Sequence, residues 1–313
     1  MKSDTNMKPK KFFTDRRWVL SGIIASVGFG LWGFLDKFST SSGLAFSNVI
    51  LYGVALFVSC IVATKYRCKP SKNALITGIC SGMINILVLY SLLSNMLILV
   101  FPFVSFGTIW FSLLYIAYFK PSYSRKRKIY ICVGTMVSIS GLVLISFGIS
   151  GGSSRAIGMY SFDPVGISLG IVVSIFTGLW TFFTFLTTFK DKLHPLASAI
   201  WIYTGSFVLA LCALLLNIGN ATNFVLSREL LFPLAGGFFI FIGQIATSYG
   251  FRYVESIASV DQFIIAFFAN GELLPILFLS YFVLHEFSYE GFIGAALVFG
   301  GLFIVNRVRT SEN

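Results

Sequence analysis

Ten apolar runs of membrane-spanning length constrain this chain more than any other feature. They cover residues 18–35, 44–64, 73–93, 96–119, 129–147, 165–189, 196–217, 230–250, 256–284 and 289–306. A helix needs about 20 apolar residues to cross the ~30 Å of bilayer hydrocarbon. Inside hydrocarbon every backbone N–H and C=O must be satisfied by the chain itself, so runs of this kind predict helices. The composition agrees, with 56% hydrophobic and 11% charged residues, whereas soluble proteins carry roughly 25% charged. The expected fold class is an all-α integral membrane protein with ten transmembrane helices.

The longest weakly apolar connection, 148–164, is rich in Gly and Ser and divides the runs into five plus five. The two halves resemble each other. Gly22, Ser26, Gly30, Leu31 and Trp32 recur as Gly170, Ser174, Gly178, Leu179 and Trp180 at an offset of 148. Gly78, Asn85 and Tyr90 recur as Gly237, Gln244 and Tyr249 at 159, and Gly134 and Gly141 as Gly294 and Gly301 at 160. Because five is odd, a second five-helix repeat must cross in the opposite sense to the first. The expected organisation is a basic tail (1–17), a first repeat (18–147), an extracytoplasmic linker (148–164), an inverted second repeat (165–306) and a short tail (307–313). Inverted repeats are a common construction of secondary transporters, whose halves exchange conformations to open to either side.

Charge supplies the orientation. Twenty of the 23 Lys and Arg residues fall in the two tails and the even-to-odd loops, leaving Lys37, Arg155 and Arg228 for the other side. By the positive-inside rule both termini are expected to be cytoplasmic, in a cell membrane. The net charge of +11 is therefore read as topology and not as a nucleic-acid surface. The stretch KKFFTDRRW and the apolar run after it have signal-peptide character, but residues 18–35 take part in the repeat and are read as part of the fold. The five cysteines form no CxxC pair and are read as small hydrophobes.

The run 256–284 carries the most unusual chemistry. At ~43 Å it exceeds the hydrocarbon thickness, which puts Glu272 near the midplane, and Asp261 lies about 16 Å away on the same helical face. An acid at this depth costs ~2.5 kcal/mol or more unless it meets water or a partner, and such acids mark ion and substrate paths. Asn270, Gly271 and Pro275 bracket Glu272 and are expected to loosen its helix. Glu272 is the candidate for proton coupling, with Asp261 as a relay from the cytoplasm; a structural ion pair is the competing role. Asn85 and Gln244 take equivalent mid-helix positions and either bond between helices or line a shared site with Trp32, Trp180 and Glu272. Gly22, Ser26, Gly30, Gly170, Ser174, Gly178, Gly134, Gly141, Gly294 and Gly301 are read as helix-packing positions. Tyr90 and Tyr249 are expected in an interfacial belt, and Asp36 and Lys37 as a solvated interfacial pair. No catalytic motif, metal cluster or cofactor fingerprint is visible, so neither an enzyme nor a cofactor or metal is expected.

The segment LHEFSYEGFIGAALVFGGLFIVNR, with Glu286, Gly294 and Gly301, resembles the end of the EamA-like branch of the drug/metabolite transporter superfamily. The GLW and LWGF stretches that open the halves and the basic cytoplasmic loops resemble it too. Glu272 stands where that family often has an acid followed at once by proline, although here the proline comes at Pro275. The first half has SYSRKRK where an acid is expected. The resemblance implies a ten-helix carrier of small metabolites such as amino acids, sugars or their derivatives, acting as exporter or exchanger. Sugar uptake and a membrane scaffold without transport are the rival expectations. The expected partners are a small-molecule substrate and the lipid bilayer, with no nucleic acid; monomer and homodimer both remain open. In a cysteine-free background, a single cysteine at Ser153 should label with an impermeant reagent from outside and one at Lys69 from inside. Labelling of both from one side would rule out the inverted topology.

Overall fold

The structure is a computed structural model that describes residues 17–39, 44–66, 68–92, 97–120, 125–150, 164–216, 230–252, 272–285 and 289–306. Among them all regular structure is helical. The helices are α1 (Arg17–Ser39), α2 (Leu44–Ala63), α3 (Lys72–Leu92), α4 (Leu97–Phe119), α5 (Arg125–Ser150), α6 (Pro164–Phe185), α7 (Pro195–Leu215), α8 (Leu231–Arg252), α9 (Leu273–Phe282) and α10 (Tyr289–Asn306). A π-helical turn, Leu186–Lys190, extends α6. Helix α5 reaches Ser150, so the linker expected from residue 148 begins later, and α6 starts one residue earlier than expected at Pro164.

Seven of the described helices are long and apolar enough to cross a membrane, and α9 and α10 contribute shorter apolar stretches. Large apolar side chains such as Phe57, Met136, Phe278 and Phe282 point outward. In water so much exposed apolar surface would drive association; in hydrocarbon it is the solvated face. The chain is a membrane-embedded helical protein.

Helix α1 packs on α8 as α6 packs on α3; α2 packs on α8 as α7 packs on α3; α4 packs on α6 as α9 packs on α1. Helices α2 and α7 meet each other, as do α5 and α10. Glycines make the tightest of these approaches possible. A Cβ on Gly78 would overlap the Ile202 carbonyl oxygen of α7, and one on Gly237 would overlap the Leu51 carbonyl oxygen of α2. Gly141 and Gly294 each face the other's carbonyl oxygen, while Gly301 lies against Ser138 and the Gly134 oxygen. Gly170 faces the Phe103 ring, with 2.6 Å to a Cβ placed there. Gly22 and Ser26 are buried on α1.

Helices α4 and α9 also correspond. A Cβ on Gly30 would come within 2.6 Å of the Pro275 Cβ and 3.4 Å of the Glu272 oxygen. One on Gly178 would meet the Trp110 Cβ and lie 3.0 Å from the Gly107 oxygen. Both pairs of neighbours are 165 residues apart. Two residues with left-handed backbone, Lys120 (φ 47°) and His285 (φ 54°), share that separation just past the ends of the same helices. Glu272 thus lies against Gly30 of α1 as Gly107 lies against Gly178 of α6.

Because the obstacle at Gly78 is backbone, Gly78→Ala must push α3 off α7, at a cost of roughly 1–3 kcal/mol. It should lower the thermal transition of the purified protein. Gly300→Ala, at a position with open space around it, should leave the transition unchanged.

Candidate functional site

Between α1, α3, α4, α6, α8 and the described start of α9 lies a small cavity lined by Phe29, Trp32, Ser81, Ile84, Val104, Thr177, Trp180, Ile240 and Glu272. The lining draws on both halves. Phe29 stands edge-on to both indoles, with ring centroids 6.3 Å from Trp32 and 5.3 Å from Trp180.

Each indole is fixed by a hydrogen bond across its own half. Trp32 Nε1–H donates to Asn85 Oδ1 at 3.1 Å, and Trp180 Nε1–H donates to Gln244 Oε1 at 2.8 Å. The amides are held in turn: Asn85 Nδ2 donates to Asn48 Oδ1, and Gln244 Nε2 donates to Ser248 Oγ at 3.3 Å and Thr184 Oγ1 at 3.4 Å. Two tyrosines complete the scaffold, Tyr52 donating to the Ser81 oxygen at 2.6 Å and Tyr203 to the Ile240 oxygen at 2.9 Å. These acceptors are themselves lining residues. The π-faces of the indoles and their tethered orientation make the wall of the cavity rigid, since each polar edge is bonded.

Glu272 immediately precedes α9. Its carbonyl oxygen accepts the first intrahelical bond, from Ile276 N–H at 3.1 Å. Pro275 therefore sits in the first turn of the described helix, where its missing N–H costs nothing. Glu272 is 2% exposed, and its Oε1 is buried with no hydrogen-bond partner among the described residues. Asp261, Asn270 and Gly271 lie outside the described residues, as does Glu286.

Asp36 departs from the sequence expectation. It is 1% exposed, and neither carboxylate oxygen has a hydrogen-bond partner among the described residues. Lys37 instead turns to the Leu92 carbonyl at 3.3 Å. The reason is helical geometry: four residues after Trp32, Asp36 shares the inward face of α1 while Lys37 is rotated off it. Sequence reasoning also passed over Tyr52 and Tyr203, 151 residues apart, and Phe29, whose counterpart at the offset of 148 is Thr177. A search for further offsets would have found the tyrosine pair. Among the packing residues, Ser174 Oγ accepts from Trp110 Nε1 at 3.0 Å, joining α6 to α4. Tyr90 is exposed, and the Tyr249 ring lies edge-on to His194, centroids 5.9 Å apart.

A second polar cluster lies at the connections between α2 and α3 and between α6 and α7. Asp191 Oδ2 accepts from Ser71 Oγ and Asn73 Nδ2, each at 3.0 Å, linking the two connections. Beside it the His194 ring stacks on Tyr66 at 3.9 Å, and its Nδ1 accepts from Leu196 N–H at 3.3 Å. Burial, and after it the positive Arg252, hold the His194 imidazole below its ordinary range. As pH falls through about 6.5, the unfolded chain gains a proton at His194 before the folded chain does, so folding stability must fall. Wild type should therefore lose more thermal stability than His194→Gln between pH 7.5 and 5.5; equal losses would assign no such role to the imidazole.

No family model and no curated relative matches the chain. Twenty-one solved chains match it in structure. One of them, a crystal structure of a protein otherwise undescribed, aligns with a TM-score of 0.61 at 14% identity over 91% of this chain and 96% of its own length. At that identity the likeness concerns the fold alone.

Proposed function

We infer that the chain is a secondary transporter of a small organic solute, with its site in the cavity bounded by Trp32, Trp180 and Glu272. The observation that carries this reading is the pair of matched indole–amide bonds, Trp32 to Asn85 and Trp180 to Gln244, which fix two walls of one cavity. A scaffold protein gains nothing from a cavity with tethered polar walls and a buried carboxyl group, one of whose oxygens has no hydrogen-bond partner among the described residues. The reciprocal packing of α1–α5 against α6–α10 supports ten spans in two inverted repeats, and hence alternating access by rocking of the halves. The basic asymmetry favours cytoplasmic termini in a cell membrane. The drug/metabolite transporter superfamily, EamA-like branch, is the family we assign on the motifs of the two halves. Export or exchange is the mode we favour over uptake.

With the termini cytoplasmic, the aromatic cluster of Phe111, Tyr115, Phe182, Phe185 and Phe251 lies between the cavity and the cytoplasm, beyond Trp180 along α6. The Asp191 bonds to Ser71 and Asn73 tie the same end. In this reading these contacts form a cytoplasmic gate, and opening inward requires both to part.

Glu272 is the coupling group in this reading. A carboxyl group that meets water from alternate sides binds a proton on one and releases it on the other. In proteoliposomes, Glu272→Gln should keep substrate exchange between equal pools and lose accumulation driven by a pH gradient. Asn85→Leu and Gln244→Leu should each weaken apparent substrate affinity about tenfold or more, the equivalent of ~1.4 kcal/mol, with folded yield retained. Counterflow in proteoliposomes, screened across neutral, cationic and anionic solutes, checks all three. Accumulation by Glu272→Gln equal to wild type, with the same pH dependence, would return Glu272 to a structural role.

A further inference from the structure

Helix α5 begins in a way that its own electrostatics oppose. Its first residues, Arg125, Lys126, Arg127 and Lys128, are all basic, and its first turn holds no acid. A helix start carries the positive end of the macrodipole and N–H groups without intrahelical partners, so cations are disfavoured there and anions favoured. The neighbouring sequence supplies no anion, since from Lys37 to Phe162 the chain contains neither Asp nor Glu. The helix packed on α5 supplies none at this end either. Gly134 lies by Gly301 and Gly141 by Gly294, so α5 and α10 run antiparallel and the start of one meets the end of the other. The acid of α10, Glu290, is in its first turn, at the far side, and the sequence after Asn306 opens with Arg307 and Arg309.

The charge also crowns a lipid-facing surface. At 100° per residue, Arg125, Lys126 and Lys128 fall on the same half of α5 as Ile129, Val133, Met136 and Val143, and all seven are exposed. The opposite half, with Gly134, Ser138 and Gly141, packs on α10. Retention of a loop on one side of a membrane needs basic residues anywhere in that loop. It does not need them on the first turn of a helix, above an apolar stripe. A free phosphate would answer the cations alone, and a neutral lipid the stripe alone. A phospholipid with a net negative headgroup answers both, because its phosphate and its acyl chain are joined in the order in which α5 presents their partners.

We propose that the start of α5 is a binding site for an anionic phospholipid of the leaflet it enters, with the headgroup phosphate against Arg125, Lys126 and Lys128 and an acyl chain along Ile129, Val133 and Met136. The bound headgroup relieves the mutual repulsion of the basic turn and steadies the end of the protein where α5 and α10 meet.

Titration of the purified full-length protein in detergent with dioleoylphosphatidylglycerol, dioleoylphosphatidylcholine and inorganic phosphate tests this, with lipid binding read by native mass spectrometry and stability by the thermal transition. The anionic lipid should bind more tightly than the choline lipid and raise the transition, and phosphate should do neither. Arg125→Gln and Lys128→Gln should each lower affinity for the anionic lipid about fivefold, the contribution of one basic residue beside an anionic headgroup, and leave the choline lipid unaffected. Lys69→Gln and Lys72→Gln, which remove exposed cations before and at the start of α3, should change neither. If the α5 variants fail to fold, wild type locates the site: phosphatidylglycerol with a diazirine on its acyl chain should crosslink to 125–143 in preference to the other spans. Equal affinity for the two lipids, phosphate as effective as the anionic lipid, unchanged affinity in the folded α5 variants, or crosslinks spread evenly over the spans overturns the proposal.

Discussion

Hydrocarbon offers no hydrogen bonds, and that constraint organises the interior of this protein. Its buried hydroxyl groups mostly bond back to their own helices, as Ser59 to Ala55, Ser112 to Thr108, Thr181 to Thr177 and Thr247 to Gly243. Such bonds satisfy a group but join nothing. Around the cavity the bonds that join helices come from longer side chains, the two indoles, the two amides and the two tyrosines. Further out, Trp110 bonds to Ser174, Ser206 to the Gly78 oxygen and Ser138 to the Val298 oxygen. The helices are also held by backbone contact at glycines, where van der Waals attraction over a close approach replaces a hydrophobic drive that lipid cannot supply.

Much of this was legible in the sequence, for a physical reason. Hydrophobic run length reports the membrane directly, and the offset of 148 that pairs Trp32 with Trp180, with that of 159 pairing Asn85 with Gln244, identified four of the cavity's fixing residues before any contact was known. What the sequence did not carry was direction. Asp36 beside Lys37 reads as a solvated pair, because adjacent opposite charges attract; only the rotation of 100° per residue about a helix in place separates them. Helices four and nine were likewise silent, since Trp110 and Pro275 share a role and no chemistry. Their equivalence is geometric, a Cβ in each case seated on the small residue of the facing helix.

Glu272 directly precedes the described part of α9, its carbonyl already in the helical ladder and its side chain at the cavity. Pro275 fixes the first turn and locks it onto Gly30 of α1 at van der Waals contact. Movement of α9 is thereby coupled to α1, and through Trp32 to the Asn85 side of the site.

The departures from internal correspondence are as informative as the correspondence itself. Glu272 lies against Gly30 as Gly107 lies against Gly178, and a Cβ at Gly107 would come within 2.6 Å of Thr177, so the first half has no room for an acid there. At the offset of 148, Asp36 corresponds in sequence to Thr184, whose hydroxyl takes part in the Gln244 network. Among the described residues, each half thus contributes one buried carboxyl group at a position where the other has a small or neutral residue. Two matched halves can make an enclosure with matched walls, but strict matching would double every charge, and two carboxyl groups at each of these positions would repel across a cavity of this size. Placing one acid in each half, at non-corresponding sites, keeps the wall matched and gives the charge a direction along α1, from Glu272 beside Gly30 to Asp36 beyond Trp32.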